Sequence, residues 1–570
     1  MRTDLTAFEN FVFRSAEEYV QTVVLVDDHI YEDRRRPTPG QAVTPKLAGR
    51  KAATKNLAST PGTDATSVSD EQSAEDSDEA SFDVVQNSFA KKRIICSLYQ
   101  PRVGASFGSQ SEVYRLCTTA DVVIVDWNLY SDLGVNATKL AGGLTQQSHG
   151  EVPQQLRLVL IYTLQPNLGD VASKVYDDLV ARLGEDNVEV ESETNGLVLT
   201  TEFCRVVVLG KKENPNLAEF SDHYVPEKHL ADRTILEFSR LSSGLLQGIA
   251  LRSIAKLRSN NRRILARFSE NLDAAFFTHR ALVLPEEPFE SVPDLLSNEL
   301  RAVLEDTLAD SALGSASEIR QIIEDWCKRE WLEPTNPALA IGQGVDAQEF
   351  ALDVLCNGPE LEGDYEGKTG SQISGLVQSN ADGTRIWKDD SRKRKLAKYL
   401  LKNMGGEDIQ ERLGALMSQR MMYETSVRKL HLGVIVKELD GKQRYRLCLQ
   451  PLCDSVRLDS NGDTFLFCAL SERKQNENFT HCVIDPTGEV LRLKYKPSTS
   501  CICVSSFRNA RATQKDNGPF VFSDVDKRQF EWIAELKTEH AQHAAELFGN
   551  QISRVALTQS EWVRLKTKQG

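Results

Sequence analysis

Four short apolar runs set the limits on what this chain can fold into. Val23-Val24-Leu25-Val26, Val122-Val123-Ile124-Val125, Leu158-Val159-Leu160-Ile161-Tyr162 and Val206-Val207-Val208-Leu209 are rich in β-branched residues and contain no polar break. Runs of this kind, too short for core helices and without alternation, predict strands covered on both faces of a parallel sheet. The first two end in carboxylates, Asp27-Asp28 and Asp126; the third ends at Thr163 and the fourth, past Gly210, at Lys211. In open parallel sheets the carboxyl ends of the strands are where ligands bind. Three acids gathered at one such edge repel one another and lose hydration unless a cation sits among them. Oxygen-only donors point to Mg2+ as that cation.

An acidic pair, a lone Asp, a hydroxyl and a Lys, in that order at successive strand ends, resemble the receiver domain of two-component response regulators. The resemblance covers roughly residues 20–215. It implies a flavodoxin-like, doubly wound α/β fold on a five-stranded parallel sheet, with a histidine-kinase-like protein as phosphodonor. It further implies that Asp126 is the phosphoacceptor and that Asp27, Asp28, Asp126 and the backbone carbonyl of Asn128 form the Mg2+ site. Thr163 would be the switch hydroxyl and Lys211 the phosphate-binding lysine. In physical terms, Mg2+ at the acidic pair would neutralise both nucleophile and phosphoryl group for in-line attack by Asp126. Lys211 and Thr163 would then pair with the phosphoryl oxygens.

Three departures from the family pattern are visible. Lys211 is followed by Lys212 rather than Pro, and Val208 stands where the family normally has an aromatic that reports the switch. The chain between Thr163 and Lys211 is long, and the turn-like Ser192-Glu193-Thr194-Asn195-Gly196 predicts an extra hairpin there. Two other readings compete. One is a pseudo-receiver that binds partners without taking phosphate. The other is a hydrolase of the haloacid-dehalogenase type, which needs a second Asp two residues after the nucleophile, where this chain has Asn128. Enzymatic activity beyond self-phosphorylation and self-dephosphorylation is not expected.

The remaining chain divides by composition. Domains are expected at 1–225 (receiver-like), 226–285 (long helices), 286–428 (helical), 429–510 (a β-rich barrel or sandwich) and 511–570 (C-terminal helices). Residues 34–87 open basic (Arg34, Arg35, Arg36, Lys46, Arg50, Lys51, Lys55) and close acidic (Asp70, Glu71, Glu75, Asp76, Asp78, Glu79), with few apolar residues between. Such an insertion buries too little to offset its ordering entropy and is expected to be disordered. Residues 227–282 carry apolar residues at helical spacing with a predicted break at Ser259-Asn260-Asn261, and could pair two copies in a homodimer. The basic side chains Arg252, Lys256, Arg258, Arg262, Arg263 and Arg267 read as a solvated helix face.

Further helices are predicted at 292–309, 317–331, 347–356, 392–401 and 409–422. Short strands follow at 431–438, 445–449, 464–470, 481–484, 490–495 and 501–505, then a helix pair over 530–564. A thiol nucleophile at Cys453, with His431 and His481 elsewhere, has no supporting signature; a buried strand-end Cys is the plainer reading. The tail segments Ser553-Arg554-Val555-Ala556-Leu557 and Glu561-Trp562-Val563-Arg564 look similar to the end of large receiver proteins encoded beside histidine-kinase-like ATPases in bacterial conflict and antiphage loci. A net charge of −14 argues against a nucleic-acid surface as the main business of the chain. No apolar stretch approaches the ~20 residues a membrane span needs, and residues 1–5 open no signal-peptide core. Eleven cysteines without paired C-x2-C spacing support neither zinc nor a disulfide frame. A cytoplasmic protein follows from these readings.

Overall fold

The computed structural model describes residues 5–31, 82–149, 155–211, 218–283, 291–311 and 316–330, short pieces between 352 and 401, and, with short gaps, residues 409–552. The chain divides into two compact units, residues 1–261 with 303–313, and residues 262–302 with 314–570.

In the first unit α1 (Ala7–Tyr19) starts at a reciprocal cap in which Thr6 and Glu9 satisfy each other's backbone amides. It is followed by β1 (Thr22–Val26), α2 (Phe82–Lys91), β2 (Ile95–Tyr99), α3 (Glu112–Thr118), β3 (Val122–Val125), α4 (Val135–His149), β4 (Arg157–Thr163) and α5 (Leu168–Leu183). The short strands β5 (Glu189–Val190) and β6 (Val198–Thr200) precede β7 (Cys204–Gly210), α6 (Leu230–Leu241) and α7 (Leu245–Arg267). The sheet order is β2-β1-β3-β4-β7-β6-β5. β2, β1, β3, β4 and β7 are parallel; β6 pairs antiparallel to β7, and β5 pairs antiparallel to β6 at the edge.

The sheet therefore has seven strands, not the five expected from the resemblance. The extra pair flanks the 3-10 turn Ser192–Thr194, and it forms because Val198 and Leu199 are apolar and bury against β7. Alternate residues of the apolar runs serve two cores. Val24, Val26, Val125, Ile161 and Val208 face one core with α3, α4 and α5, while Val23, Leu25, Ile124, Leu160 and Leu209 face another with α1, α2 and α6. Each such side chain contributes roughly 1.5–3 kcal/mol by leaving water, which is why the runs admit no polar residue.

Three expectations for this unit are corrected. The insertion expected to be disordered through residue 87 gives way to α2 at Phe82, because Val85 and Phe89 fall on one helical face and are buried; its residues 34–81 lie outside the described residues. No break occurs at Ser259-Asn260-Asn261. There Ser259 and Asn260 turn their side chains back onto the Lys256 carbonyl (2.8 and 3.0 Å), so α7 runs on, and the interruptions fall instead at residues 242–244 and 268–272. Nor is the basic side of α7 simply solvated. Arg252 pairs with Glu18 at 3.1 Å, and Arg258 pairs with Asp121 at 3.1 Å and donates to the Tyr19 carbonyl at 2.9 Å. Gly248 allows the approach, since a Cβ there would fall 2.7 Å from the Phe11 ring.

The second unit contains α8 (Asp273–Val283), the first part of α9 (Ser291–Ser311), α10 (Ala316–Glu330), a hairpin of β8 (Val377–Ser379) and β9 (Arg385–Trp387), and α11 (Gln410–Ser418). Then come β10 (Val434–Glu438), β11 (Arg444–Cys448), β12 (Asp463–Glu472), β13 (His481–Ile484), β14 (Val490–Lys494), β15 (Ile502–Phe507), β16 (Thr513–Gln514), β17 (Phe520–Ser523), β18 (Gln529–Glu535) and α12 (Thr538–Ile552). Strands β10 to β18 form one nine-stranded antiparallel sheet with a core on each face. The β8–β9 hairpin interrupts a stretch expected to be wholly helical, and the β-rich region continues to Glu535 rather than ending at 510.

The helix expected from 530 is strand β18. Phe530, Ile533 and Leu536 mimic a helical period, but Trp532 and Ala534 are buried as well, as in a strand held between β10 and β17 with both faces covered. The helices expected at 347–356 and 392–401 lie, apart from isolated residues, outside the described residues, as do Cys453, Lys212 and the tail segments.

A buried ion cluster fixes the extra hairpin to α6. Glu237 of α6 meets Arg205 of β7 at 2.9 Å, Arg233 at 2.8 Å and Arg240 at 3.0 Å, and Arg205 also reaches Glu191 beside β5 at 3.1 Å. Burial pushes the Glu237 carboxyl up, and Arg233, Arg205 and Arg240 together hold it below its ordinary value. Its contribution to stability is therefore present above the usual carboxylate range and lost as pH falls through the lowered pKa. Replacing Glu237 with Ala strands buried guanidinium groups and should cost about 3–5 kcal/mol. Denaturant titration of wild type and E237A checks this; coincident first transitions would refute it.

Candidate functional site

Parallel register carries the ends of β1, β3, β4 and β7 to one edge of the sheet. Asp126 extends β3 by donating its amide to the Val26 carbonyl at 2.8 Å, and Lys211 extends β7 by donating its amide to the Thr163 carbonyl at 2.8 Å. Between these strand ends the Lys211 ammonium bridges two carboxylates, 3.0 Å from Asp27 Oδ2 and 2.7 Å from Asp126 Oδ1. Asp27, Asp28 and Thr163 are buried, and the Lys211 and Asp126 side chains are 9% and 13% exposed. Burial pulls the Lys211 pKa down, but Asp27 and Asp126 outweigh it and raise it above the usual lysine value. The ammonium thus stays charged throughout the neutral range.

The remaining carboxylate oxygens are mostly occupied by backbone amides. His29 N donates to Asp27 Oδ1 at 2.9 Å, Asn128 N to Asp126 Oδ2 at 2.8 Å and Tyr130 N to Asp28 Oδ2 at 2.7 Å. Asp28 Oδ1 is buried without a hydrogen-bond partner among the described residues. The Thr163 hydroxyl accepts from Gln165 N at 3.0 Å, which leaves its own hydrogen to donate. Asn128 contributes its amide to Asp126 and its side-chain oxygen to Leu133 N at 3.1 Å; its carbonyl receives only a long contact from Ser131 N at 3.4 Å.

The structure thus gathers Asp27, Asp126 and Lys211 by direct contact and joins Asp28 through Tyr130 N. Thr163 is tied in through the Lys211 backbone. Two features escaped sequence reasoning. Tyr162, one residue before Thr163, places its ring 5.5 Å from the Lys211 ammonium. The loop after Asp126 holds Tyr130, Ser131 and Leu133 at positive φ (55°, 60° and 56°), each costing about 1–2 kcal/mol in a residue with a Cβ. Asp28 and Asn128 clamp that loop through the bonds above, and Asp132 accepts from Gly134 N and Asn136 N at 3.0 and 2.7 Å. The Tyr130 hydroxyl donates to the Pro101 carbonyl. At Gly134 (φ 90°) a Cβ would sit 2.0 Å from the Trp127 ring. The Asp132-x-Gly134 pattern is the only trace of this turn in the sequence.

Residues 19–216 match the family model for the response receiver domain. This stretch is receiver-like. No curated protein and no solved structure is detectably similar to the chain. Among the described residues no group of three or more His, Cys, Asp and Glu side chains is arranged to hold a metal ion as it stands; Lys211 contacts one oxygen each of Asp27 and Asp126. The donor chemistry still fits a hard divalent cation. Two carboxylates meet one ammonium, and Asp28 Oδ1 beside them is a buried oxygen acceptor with no hydrogen-bond partner among the described residues. Among the described residues no helix is long and apolar enough to cross a membrane.

The orphaned oxygen generates a prediction. Asp28→Asn should stabilise the metal-free protein by about 1–3 kcal/mol, since it removes a buried carboxylate oxygen that has no hydrogen-bond partner among the described residues. Mg2+ at about ten times its Kd should stabilise wild type by about 1.4 kcal/mol and leave D28N unmoved. Thermal scans with and without Mg2+ decide it; equal responses of the two proteins would refute a cation role for Asp28.

Proposed function

We propose that this protein is a phosphorylation-responsive regulator in which Asp126 accepts a phosphoryl group from a histidine-kinase-like ATPase partner with Mg2+ bound. The observation that carries the reading is the Lys211 ammonium lying between Asp27 and Asp126. An Asp126 oxygen attacks phosphorus, the phosphorus–nitrogen bond of a donor phosphohistidine breaks, and the departing imidazole takes up a proton. Asp27, Asp28 and Asp126, with the Asn128 carbonyl, are the groups that would hold Mg2+. When bound, the ion supplies charge neutralisation between carboxylate and phosphoryl group.

Lys211 is already within reach of Asp126 and would exchange a carboxylate oxygen for phosphoryl oxygens. Thr163, whose hydroxyl hydrogen is uncommitted to Gln165, would donate to another. A homodimer through helices 227–282 would draw on apolar side chains exposed there, such as Leu246 and Ile254 on α7, because Arg252 and Arg258 hold another side of that helix to residues near α1. A cytoplasmic setting and a role in antiphage defence complete the proposal; the latter rests on the resemblance of the tail alone.

The second reading, a scaffold that never takes phosphate, has one observation in its favour: Lys211 already neutralises two of the three acids. A dehalogenase-type hydrolase is disfavoured because Asn128 offers amide groups where that chemistry needs a carboxylic acid. Incubating the full chain with acetyl phosphate and Mg2+, then resolving phosphorylated protein by phosphate-affinity electrophoresis, should show a slower band that Asp126→Asn abolishes. No uptake by wild type from acetyl phosphate or from a cognate kinase would leave the scaffold.

A further inference from the structure

Tyr162 touches two things that a signal must connect. Its ring is buried in the core shared by α1, α2 and α6 and lies 5.5 Å from the Lys211 ammonium. Its hydroxyl donates to the Val225 carbonyl at 2.6 Å. Val225 in turn donates its amide to the Gly210 carbonyl at 2.9 Å, and Gly210 and Tyr224 form a parallel bridge. Five residues past Val225 begins α6, whose first residue, Leu230, is fully buried. One side chain therefore spans from the cation of the acidic site to the segment that launches α6. The position where a ring would be expected to report on the site, Val208, holds an aliphatic side chain packed toward the opposite core.

Among the described residues the ammonium of Lys211 meets three partners: Asp27 Oδ2, Asp126 Oδ1 and the Tyr162 ring. A phosphoryl group on Asp126 would add charged oxygens that compete for it. Drawing the ammonium outward shortens its contact with phosphate and weakens its contact with the ring. Tyr162 cannot follow without straining its bond to Val225. We propose that Tyr162 is a positioning residue for Lys211 and relays the charge state of Asp126 through Val225 to α6. This rests on the reading of Asp126 as phosphoacceptor.

Two substitutions in the full chain separate ring from hydroxyl. Tyr162→Leu removes the ring and should slow phosphate uptake from acetyl phosphate about three- to thirty-fold, the range expected for a partly desolvated cation–ring contact. Tyr162→Phe should restore that rate. Hydrogen exchange of residues 225–241 is then followed with Mg2+ and saturating beryllium fluoride, a stable mimic of the acyl phosphate. Wild type should change its exchange in this segment on loading, and Y162F at equal occupancy should lose most of that change.

A Y162F response equal to wild type overturns the relay, and a Y162L uptake rate equal to wild type overturns the positioning role. Failure of wild type to take either phosphate or beryllium fluoride is a different result. It removes the phosphoacceptor reading and the relay with it.

Discussion

The Lys211 ammonium held between Asp27 and Asp126 is the interaction on which the receiver-like unit turns. It ties the last parallel strand to the first and third across the sheet edge, and it is affordable only because the charges it joins are opposite. Its position follows from the backbone. β7 pairs with β4 up to Gly210 opposite Thr163, and β1 pairs with β3 up to Val26 opposite Val125. Residues one step beyond those pairs must then project from the same edge. Parallel register, set by apolar runs buried on both faces, thus converges groups that lie far apart in sequence.

That logic explains what could be read in advance. A β-branched run with no polar break has few structural options, so the central strands were legible from Val122-Val123-Ile124-Val125 and its counterparts. The strand-end residues were legible for the same reason, since each run has only one carboxyl end. The turn at Ser192-Glu193-Thr194-Asn195-Gly196 also showed itself, through Asn195 and Gly196, which both adopt positive φ.

Other features were hidden because tertiary context decided them. At Ser259 and Asn260, side chains that end helices elsewhere bond back to the Lys256 carbonyl, so local propensity pointed the wrong way. At Phe530, Ile533 and Leu536 a helical spacing coincided with a strand buried on both sides, and the neighbouring strands β10 and β17 settled the outcome. Tyr162 read as one more apolar residue of β4. Its role at the site depends on the Lys211 side chain reaching back across the sheet, which no local pattern encodes. The left-handed conformations of Tyr130, Ser131 and Leu133 were equally invisible, being imposed by hydrogen bonds to Asp28, Asn128 and Pro101.

Those left-handed residues and the orphaned Asp28 oxygen belong to one energetic pattern. A loop optimised only for stability would place Gly, or no strain at all, after Asp126. Here three non-glycine residues hold positive φ directly beside a carboxylate cluster with more negative than positive charge. Asp28 takes part in both: one oxygen clamps the strained loop through Tyr130 N, and the other lies buried with no hydrogen-bond partner among the described residues. Any ligand that binds the free oxygen acts on the same carboxylate that restrains the loop. Strain stored beside a group whose charge can be compensated is how a small event at one atom becomes a change in backbone conformation. Among the described residues of this unit, other non-glycine positive φ values stand singly, at Arg93 and Asn195, so the strained run of three gathers at the edge where the chemistry is expected.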